Sequence, residues 1–247
     1  RASLLIKPSD QWSITFVGDY YNQHGKGSGA VLLPEARYTV PALEDRVSVS
    51  DPRAHAAIRQ LANRQPDWRC LVNSASVFHY DPVTALDPPT YREAMQVNAL
   101  SPARMAQTYF AKAASAATRT VIQITDMKIA NPNPDFFSYT MSKHALAATI
   151  GMLAKGHAGR PVRAYGLAPG AVLASHDQRE EETEISHRLN LLGRKTGADE
   201  IADAALFLAS GSLASGQTLF IDSGQHLMDQ PRDVIWLARE QAAGGAA

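Results

Sequence analysis

Tyr139 and Lys143 stand four residues apart in the run Tyr139-Thr140-Met141-Ser142-Lys143. Positions i and i+4 of a helix share a face, so a phenol and an ammonium at this spacing can open into one cleft. A phenol near pKa ~10 is a poor acid or base at neutral pH, and a fixed positive charge beside it favours the phenolate. The lysine is therefore expected to bring the tyrosine into a working range. Thirteen residues upstream, the apolar run Thr120-Val121-Ile122-Gln123-Ile124-Thr125 ends at Asp126. If that run is a strand of a parallel sheet, Asp126 arrives at the edge where such sheets place ligands. Phenol, ammonium and carboxyl together can move a proton to or from a substrate.

Three further stretches fit the same site. Leu71-Val72-Asn73-Ser74-Ala75-Ser76 reads as a strand running into a small-residue turn that can admit a ligand closely. Asn98, in Asn98-Ala99-Leu100-Ser101-Pro102, is polar within a core-like helical stretch, and Pro169-Gly170 follows another apolar run. Each alone is also what a packed core or an ordinary turn holds, and Tyr and Lys four apart occur on many helix surfaces. Their succession in this order is what argues for a site.

The elements that must position these groups follow from patterning. Short apolar runs alternate with longer amphipathic segments, the mark of βαβ units around a parallel sheet. Strands are expected at residues 3–6, 30–33, 46–49, 69–72, 120–125, 162–167 and 218–222. Helices are expected at 12–24, 52–63, 89–114, 137–155 and 198–209, with Pro52 and Pro89 suited to a first turn. Right-handed crossovers then place helices on both faces. The length of 247 residues suits one doubly wound α/β domain, and no linker or internal repeat divides it. The charged stretch 175–194, with Glu180-Glu181-Glu182, is either solvated surface or a lid over the site. The Ala/Gly-rich end, 241–247, is expected to fray.

Composition narrows the partners. The 24 basic side chains balance the 24 acidic ones, so no net field draws the chain to nucleic acid or an anionic membrane. A small-molecule partner is expected instead. No apolar stretch reaches the ~18–20 residues of a membrane-spanning helix, and the opening residues 1–6 are too few for a signal-peptide core. A cytoplasmic protein is the expectation. The single cysteine, Cys70, cannot form an intrachain disulfide and reads as a strand thiol.

From about residue 69 to residue 227 the sequence resembles the short-chain dehydrogenase/reductase family. The resemblance implies a Rossmann-like doubly wound parallel sheet of about seven strands and NAD(P)H-dependent oxidoreduction. In that family a Tyr-x-x-x-Lys pair, an upstream Ser and a helix Asn form the catalytic set, and here those places are held by Tyr139, Lys143, Asp126 and Asn98. The resemblance puts the cofactor against Asn73, Ser74, Ala75, Tyr139, Lys143, Pro169 and Gly170, with Lys143 on the ribose and Asn98 anchoring a relay water. Most members carry Ser where Asp126 stands. Asp126, Asn73-Ser74-Ala75-Ser76-Val77-Phe78 and Phe220-Ile221-Asp222-Ser223-Gly224-Gln225-His226-Leu227 together are similar to the pteridine reductase branch, which includes bacterial dihydromonapterin reductases.

That branch implies reduction of a dihydropterin by NADPH. A hydride goes to ring carbon and a proton to ring nitrogen, and a carboxyl beside the tyrosine can relay the proton and receive the pterin's N–H donors. Phe78 would stack on the pterin with Ser76 nearby, or else Phe78 is ordinary core. Assembly as a homotetramer is likewise what the resemblance implies. The rival expectations are a carbonyl reductase or alcohol dehydrogenase, in which Asp126 merely replaces Ser, and a pterin-binding protein without dinucleotide.

The N-terminal stretch departs from the pattern. A dinucleotide fold needs a glycine-rich turn after its first strand, leading to a helix N-terminus. Lys7-Pro8-Ser9-Asp10-Gln11-Trp12-Ser13-Ile14 has no glycine, and Trp12 stands where pteridine reductases carry arginine. Gly25-Lys26-Gly27-Ser28-Gly29 reads as a helix stop and turn. Three explanations stay open: another backbone route with Lys7 and Ser9 on the phosphate, weakened dinucleotide binding, or a stretch before about residue 48 unrelated to the family pattern. Within Leu33-Pro34-Glu35-Ala36-Arg37, the acid suits NAD and the base NADP; Arg37 favours NADPH, with NADH open. Asp51 either meets the adenine amino group or caps the helix before Pro52.

Overall fold

The computed structural model describes residues 58–59, 62–63, 67–175 and 177–244, with backbone alone at 2–9 and 12–18. The expected strands at 30–33 and 46–49, the Gly25–Gly29 cluster, Arg37 and Asp51 lie outside the described residues. Four parallel strands form one sheet in the order β3-β4-β5-β6: β3 Cys70–Asn73, β4 Arg119–Ile124, β5 Val162–Pro169 and β6 Thr218–Ile221. Each falls within a residue or two of its expected place.

Side chains alternate across the sheet, so adjacent residues of one strand enter different layers. Val121 and Ala164 pack with Tyr109 and Phe110 from helix α2, Ser101–Lys112. Their neighbours Ile122 and Tyr165 pack with Ala204, Ala205 and Leu208 of helix α5, Ala198–Ala209. With both faces covered, the central strands read as continuous apolar runs. This is the Rossmann-like architecture expected from the alternation.

The helix expected at 89–114 is three pieces: α1 Pro88–Ala94, a π-helical segment Met95–Leu100, and α2. Asp87 caps the start, its carboxylate accepting from the Thr90 amide at 2.9 Å. Pro102 explains the π segment. It has no N–H to give the carbonyl four residues back, which belongs to Asn98, and the Ser101 amide reaches instead to Gln96. Helix α3, Phe137–Gly156, carries Tyr139 and Lys143; Phe136 enters it in the left-handed conformation, φ 55°.

Two expectations at the N-terminus are corrected. Trp12–Gly18 is not a helix but strand β2, antiparallel to β1, Ala2–Ser9, in a sheet of their own. The residue types give the reason: Trp12, Ile14 and Phe16 alternate with Ser13 and Thr15, a period of two rich in β-branched and aromatic residues.

The charged excursion is built structure. It contains α4, Glu180–Ser186, which packs against α6, Val234–Gly244. Arg239 of α6 pairs with Asp177 at 2.8 Å and with Glu182 at 3.5 Å. Residues 241–244, at the end where fraying is expected, continue α6 as helix. Among the described residues no helix is long and apolar enough to cross a membrane.

Candidate active site

The polar groups meet where β3, β4 and β5 end. Asp126 follows β4 in extended conformation, and its Oδ1 accepts the Lys128 amide at 2.9 Å, opening a 3-10 turn at Met127–Ile129. Its other oxygen, Oδ2, accepts the Tyr139 hydroxyl at 2.6 Å. Lys143 donates to the Ile124 carbonyl at 3.0 Å, and its Nζ lies 5.5 Å from the Tyr139 ring centroid. The three groups expected from spacing thus lie together, with Tyr139 and Lys143 buried.

Burial sets the electrostatics of this crevice. It raises the Asp126 carboxyl above the usual range, although the Tyr139 hydroxyl and the Lys128 amide and ammonium oppose it. It lowers the Lys143 ammonium to about 8, against the pull of Asp126. Tyr139 is pushed well above an ordinary phenol by burial and by Asp126. The expectation that Lys143 would bring Tyr139 down is therefore corrected. The carboxyl touches the hydroxyl directly while the ammonium is turned to a carbonyl, and both favour the neutral phenol.

Asn98 is fully used. Its Nδ2 donates to the Val77 carbonyl at 2.9 Å and to Ser142 Oγ at 3.0 Å. Its Oδ1 accepts the Val77 amide at 2.8 Å and the Ser76 hydroxyl at 3.2 Å. Two donors and two lone pairs are filled, so this side chain has nothing left for a relay water. It ties the segment after β3 to helix α3 and holds the Ser76 hydroxyl.

Asn73 donates to the Pro102 carbonyl at 3.2 Å and to Gln123 Oε1 at 2.9 Å, while its buried Oδ1 meets no partner. Ser74 is half-buried, and Ala75 packs on Val77, Ala94 and Val97. Pro169 closes β5. Gly170 has no room for a side chain: a Cβ there would lie 2.6 Å from Gln225 Oε1 and 2.7 Å from the Asp222 Cβ. Phe78 is half-buried, stacked on Phe136 with centroids 4.0 Å apart and edge-on to Tyr139 at 4.6 Å. The open choice between stacking surface and core thus narrows to a ring backed on one side by Phe136.

Two groups escaped the reading of the sequence. Asp81, buried in the loop after β3, caps α3 from a distance: it accepts the Ser138 amide at 2.9 Å, the Ser138 hydroxyl at 2.5 Å and, through its carbonyl, the Phe137 amide at 2.9 Å. Lys128 is buried as well, its ammonium 2.7 Å from Asp233. Neither lies in a motif, because both act across long sequence separations. Cys70 is half-buried on β3, and burial pushes its thiol up to about 12, leaving it inert. Among the described residues no cluster of His, Cys, Asp and Glu could hold a metal ion.

Residues 39–226 match the family model described as enoyl-(acyl carrier protein) reductase. The match starts downstream of β1 and β2. Galactitol 2-dehydrogenase (L-tagatose-forming) of Cereibacter sphaeroides is 30% identical over 71% of this chain and 72% of its own length. Short-chain dehydrogenase reductase 3a of Arabidopsis thaliana is 39% identical, with 39% of this chain covered and only 40% of that protein spanned. Among solved structures, FolM alternative dihydrofolate reductase 1 from Brucella suis, in complex with NADP, superposes with a TM-score of 0.69 at 30% identity, covering 74% of this chain and 73% of that one.

Proposed function

The chain belongs to the short-chain dehydrogenase/reductase family of oxidoreductases, and from that premise we propose that it reduces a dihydropterin or folate-like heterocycle with NADPH. The observation that carries this reading is the Asp126 carboxyl on the Tyr139 hydroxyl at 2.6 Å, where most members of the family present a Ser. Support also comes from the solved FolM alternative dihydrofolate reductase 1 with its NADP.

The residues present fit such a cofactor. The N–H groups that Lys143 does not spend on Ile124 could meet ribose hydroxyls at the strand ends where dinucleotides bind in such sheets. NADPH, when bound, supplies the hydride. Tyr139, kept neutral, donates its proton to the ring nitrogen. Asp126, whose raised pKa lets it hold a proton more readily than an exposed carboxyl, restores the phenol and accepts hydrogen bonds from the heterocycle's N–H groups. Lys143 holds the ribose hydroxyls, and Asn98 fixes Ser76 and α3 in place. Phe78, backed by Phe136, offers its ring to a planar substrate beside Tyr139. The same reading takes residues 1–247 as one domain, working in the cytoplasm as a homotetramer; light scattering on the eluted protein checks the assembly.

The direct test is NADPH oxidation with dihydromonapterin, dihydrobiopterin and dihydrofolate, each followed by absorbance. Turnover of at least one is expected. A folded protein that binds NADPH and turns over none of them is not a pterin reductase. A second reading, carbonyl or alcohol oxidoreduction, is favoured by the likeness to galactitol 2-dehydrogenase and is tried on ketones in the same assay.

A further inference from the structure

Lys128 is a buried ammonium that the proposed chemistry does not touch. Its three N–H groups meet three acceptors: Asp233 Oδ2 at 2.7 Å, Asn133 Oδ1 at 2.8 Å and the Asp135 carbonyl at 3.4 Å. Removing such a charge from water is costly unless every donor is met, and here each is. The same residue's amide is the donor that fixes Asp126 Oδ1. One residue therefore grips the reacting carboxyl with its backbone and the C-terminal segment with its side chain.

The far end of this grip is equally fixed. The Asp233 amide donates to Asp135 Oδ2 at 2.9 Å, and Asp233 Oδ1 caps α6 by accepting the Ile235 amide at 3.0 Å. Arg232 makes a two-pronged pair with Asp135, at 2.7 and 3.0 Å. Asp135 adjoins Phe136, the left-handed entry to α3, and Ile235 packs on Phe136 and Tyr139. The turn that carries Asp126 and the helix that carries Tyr139 are thus both tied to the segment 232–235.

We propose that Lys128 is a positioning residue, locked by Asp233, that holds the Asp126 carboxyl against the Tyr139 hydroxyl and so links proton delivery to the C-terminal segment. The inference rests on the reductase reading for its catalytic consequence, not for its structural one. The charged and titratable groups facing Asp126 are Lys128 from its own turn and Tyr139 and Lys143 from α3, with Asp233 behind Lys128. Loss of the Lys128 charge withdraws support for the carboxylate, so the carboxyl should keep its proton to higher pH.

The test uses two variants of the full chain. Lys128→Met alone strands a buried Asp233 and risks misfolding; Lys128→Met with Asp233→Asn removes both charges and restores a neutral core. Carbon NMR of protein labelled at the aspartate carboxyls, with Asp126→Asn to assign the signal, follows the ionisation of Asp126 without any turnover. The midpoint should move to higher pH in the folded double variant. In the enzyme assay kcat should fall roughly tenfold to a hundredfold, a part of the 10²–10⁴ that a positioned acid–base group supplies, with KM for NADPH unchanged. A double variant that folds like the parent and shows neither the displaced midpoint nor the slower kcat overturns the inference. Absence of turnover in the parent would instead sink the reductase reading, and the NMR midpoint would still decide the role of Lys128.

Discussion

The rim around Asp126 and the hairpin at the N-terminus, which only one of three open explanations set on the dinucleotide phosphate, differ in what holds them. At the rim, side chains are bonded to partners far away in sequence: Asn98 to Val77 and Ser142, Tyr139 to Asp126, Lys143 to Ile124. In the hairpin, β1 and β2 are joined by backbone ladder, with Ile6 opposite Ile14 and Ser9 opposite Trp12. Chemistry that needs a phenol or a carboxyl at one point restricts residue types, so it is written in the sequence. Pyrophosphate binding by backbone needs a conformation, and the antiparallel strands Ala2–Ser9 and Trp12–Gly18 do not supply the helix N-terminus that would give it.

The largest effect that sharpens this contrast is expected from Tyr139→Phe. Only the hydroxyl is lost, the ring stays edge-on to Phe78, and the proton donor is gone. Turnover should fall by about 10³-fold or more, roughly 4 kcal/mol of barrier, while NADPH affinity changes little. Single-turnover kinetics and a fluorescence titration measure the two separately. Retained turnover would mean that the phenol is not the donor and that the rim is merely well packed.

Next in size is Asp126→Ser, which restores the residue type that most of the family carries. Dihydropterin turnover should drop about tenfold to a hundredfold, and reduction of simple ketones should rise or hold. Dihydropterin turnover that is absent in the parent, with ketone reduction that rises in the variant, would favour carbonyl reduction. The Lys128 amide loses its charged acceptor in this variant, so a modest fall in melting temperature is expected as well.

These two residues show how far the sequence could be read. The strand ends, the Tyr-x-x-x-Lys spacing and Asp126 were legible because apolar period and chemical type are local signals. Asp81 and Lys128 were not: the first caps a helix whose serine lies 57 positions away, and the second meets Asp233 across the fold. No window of neighbouring residues contains those pairs. The direction of the Tyr139 shift was also missed, because spacing put an ammonium near the phenol without revealing that it turns to the Ile124 carbonyl. The helix expected at 12–24 gives way to strand over 12–18 for a different reason, an alternation that the anticipated βαβ rhythm masked.

A smaller effect should come from pH. Lys143 is lowered to about 8 by burial, so its ammonium is present below that pH and lost as the pH rises through it. If the charge holds the ribose and the proton balance of the crevice, kcat/KM should bend downward above about pH 8, up to tenfold per unit. Stability moves the other way: between about 8 and the ordinary lysine value of 10.5 the unfolded chain binds more protons than the folded one, so this group's penalty is relieved as pH rises. Lys143→Arg, which does not titrate in this range, should abolish the bend even where it slows the reaction. A bend that persists in that variant belongs to another group.

The smallest effect is expected at the hairpin. Lys7 lies in β1 and Ser9 pairs with Trp12 at the end of the ladder, so neither stands at a helix N-terminus where amides converge on an anion. Replacing both, Lys7→Ala with Ser9→Ala, should change the Kd for NADPH by less than about threefold, the worth of a typical surface charge pair. The family match begins at residue 39, after both strands, which fits a cofactor site that does not depend on them. A tenfold or greater weakening would reverse the contrast, because the hairpin would then be a phosphate site reached by side chains, and the two ends would be equal partners in holding the dinucleotide.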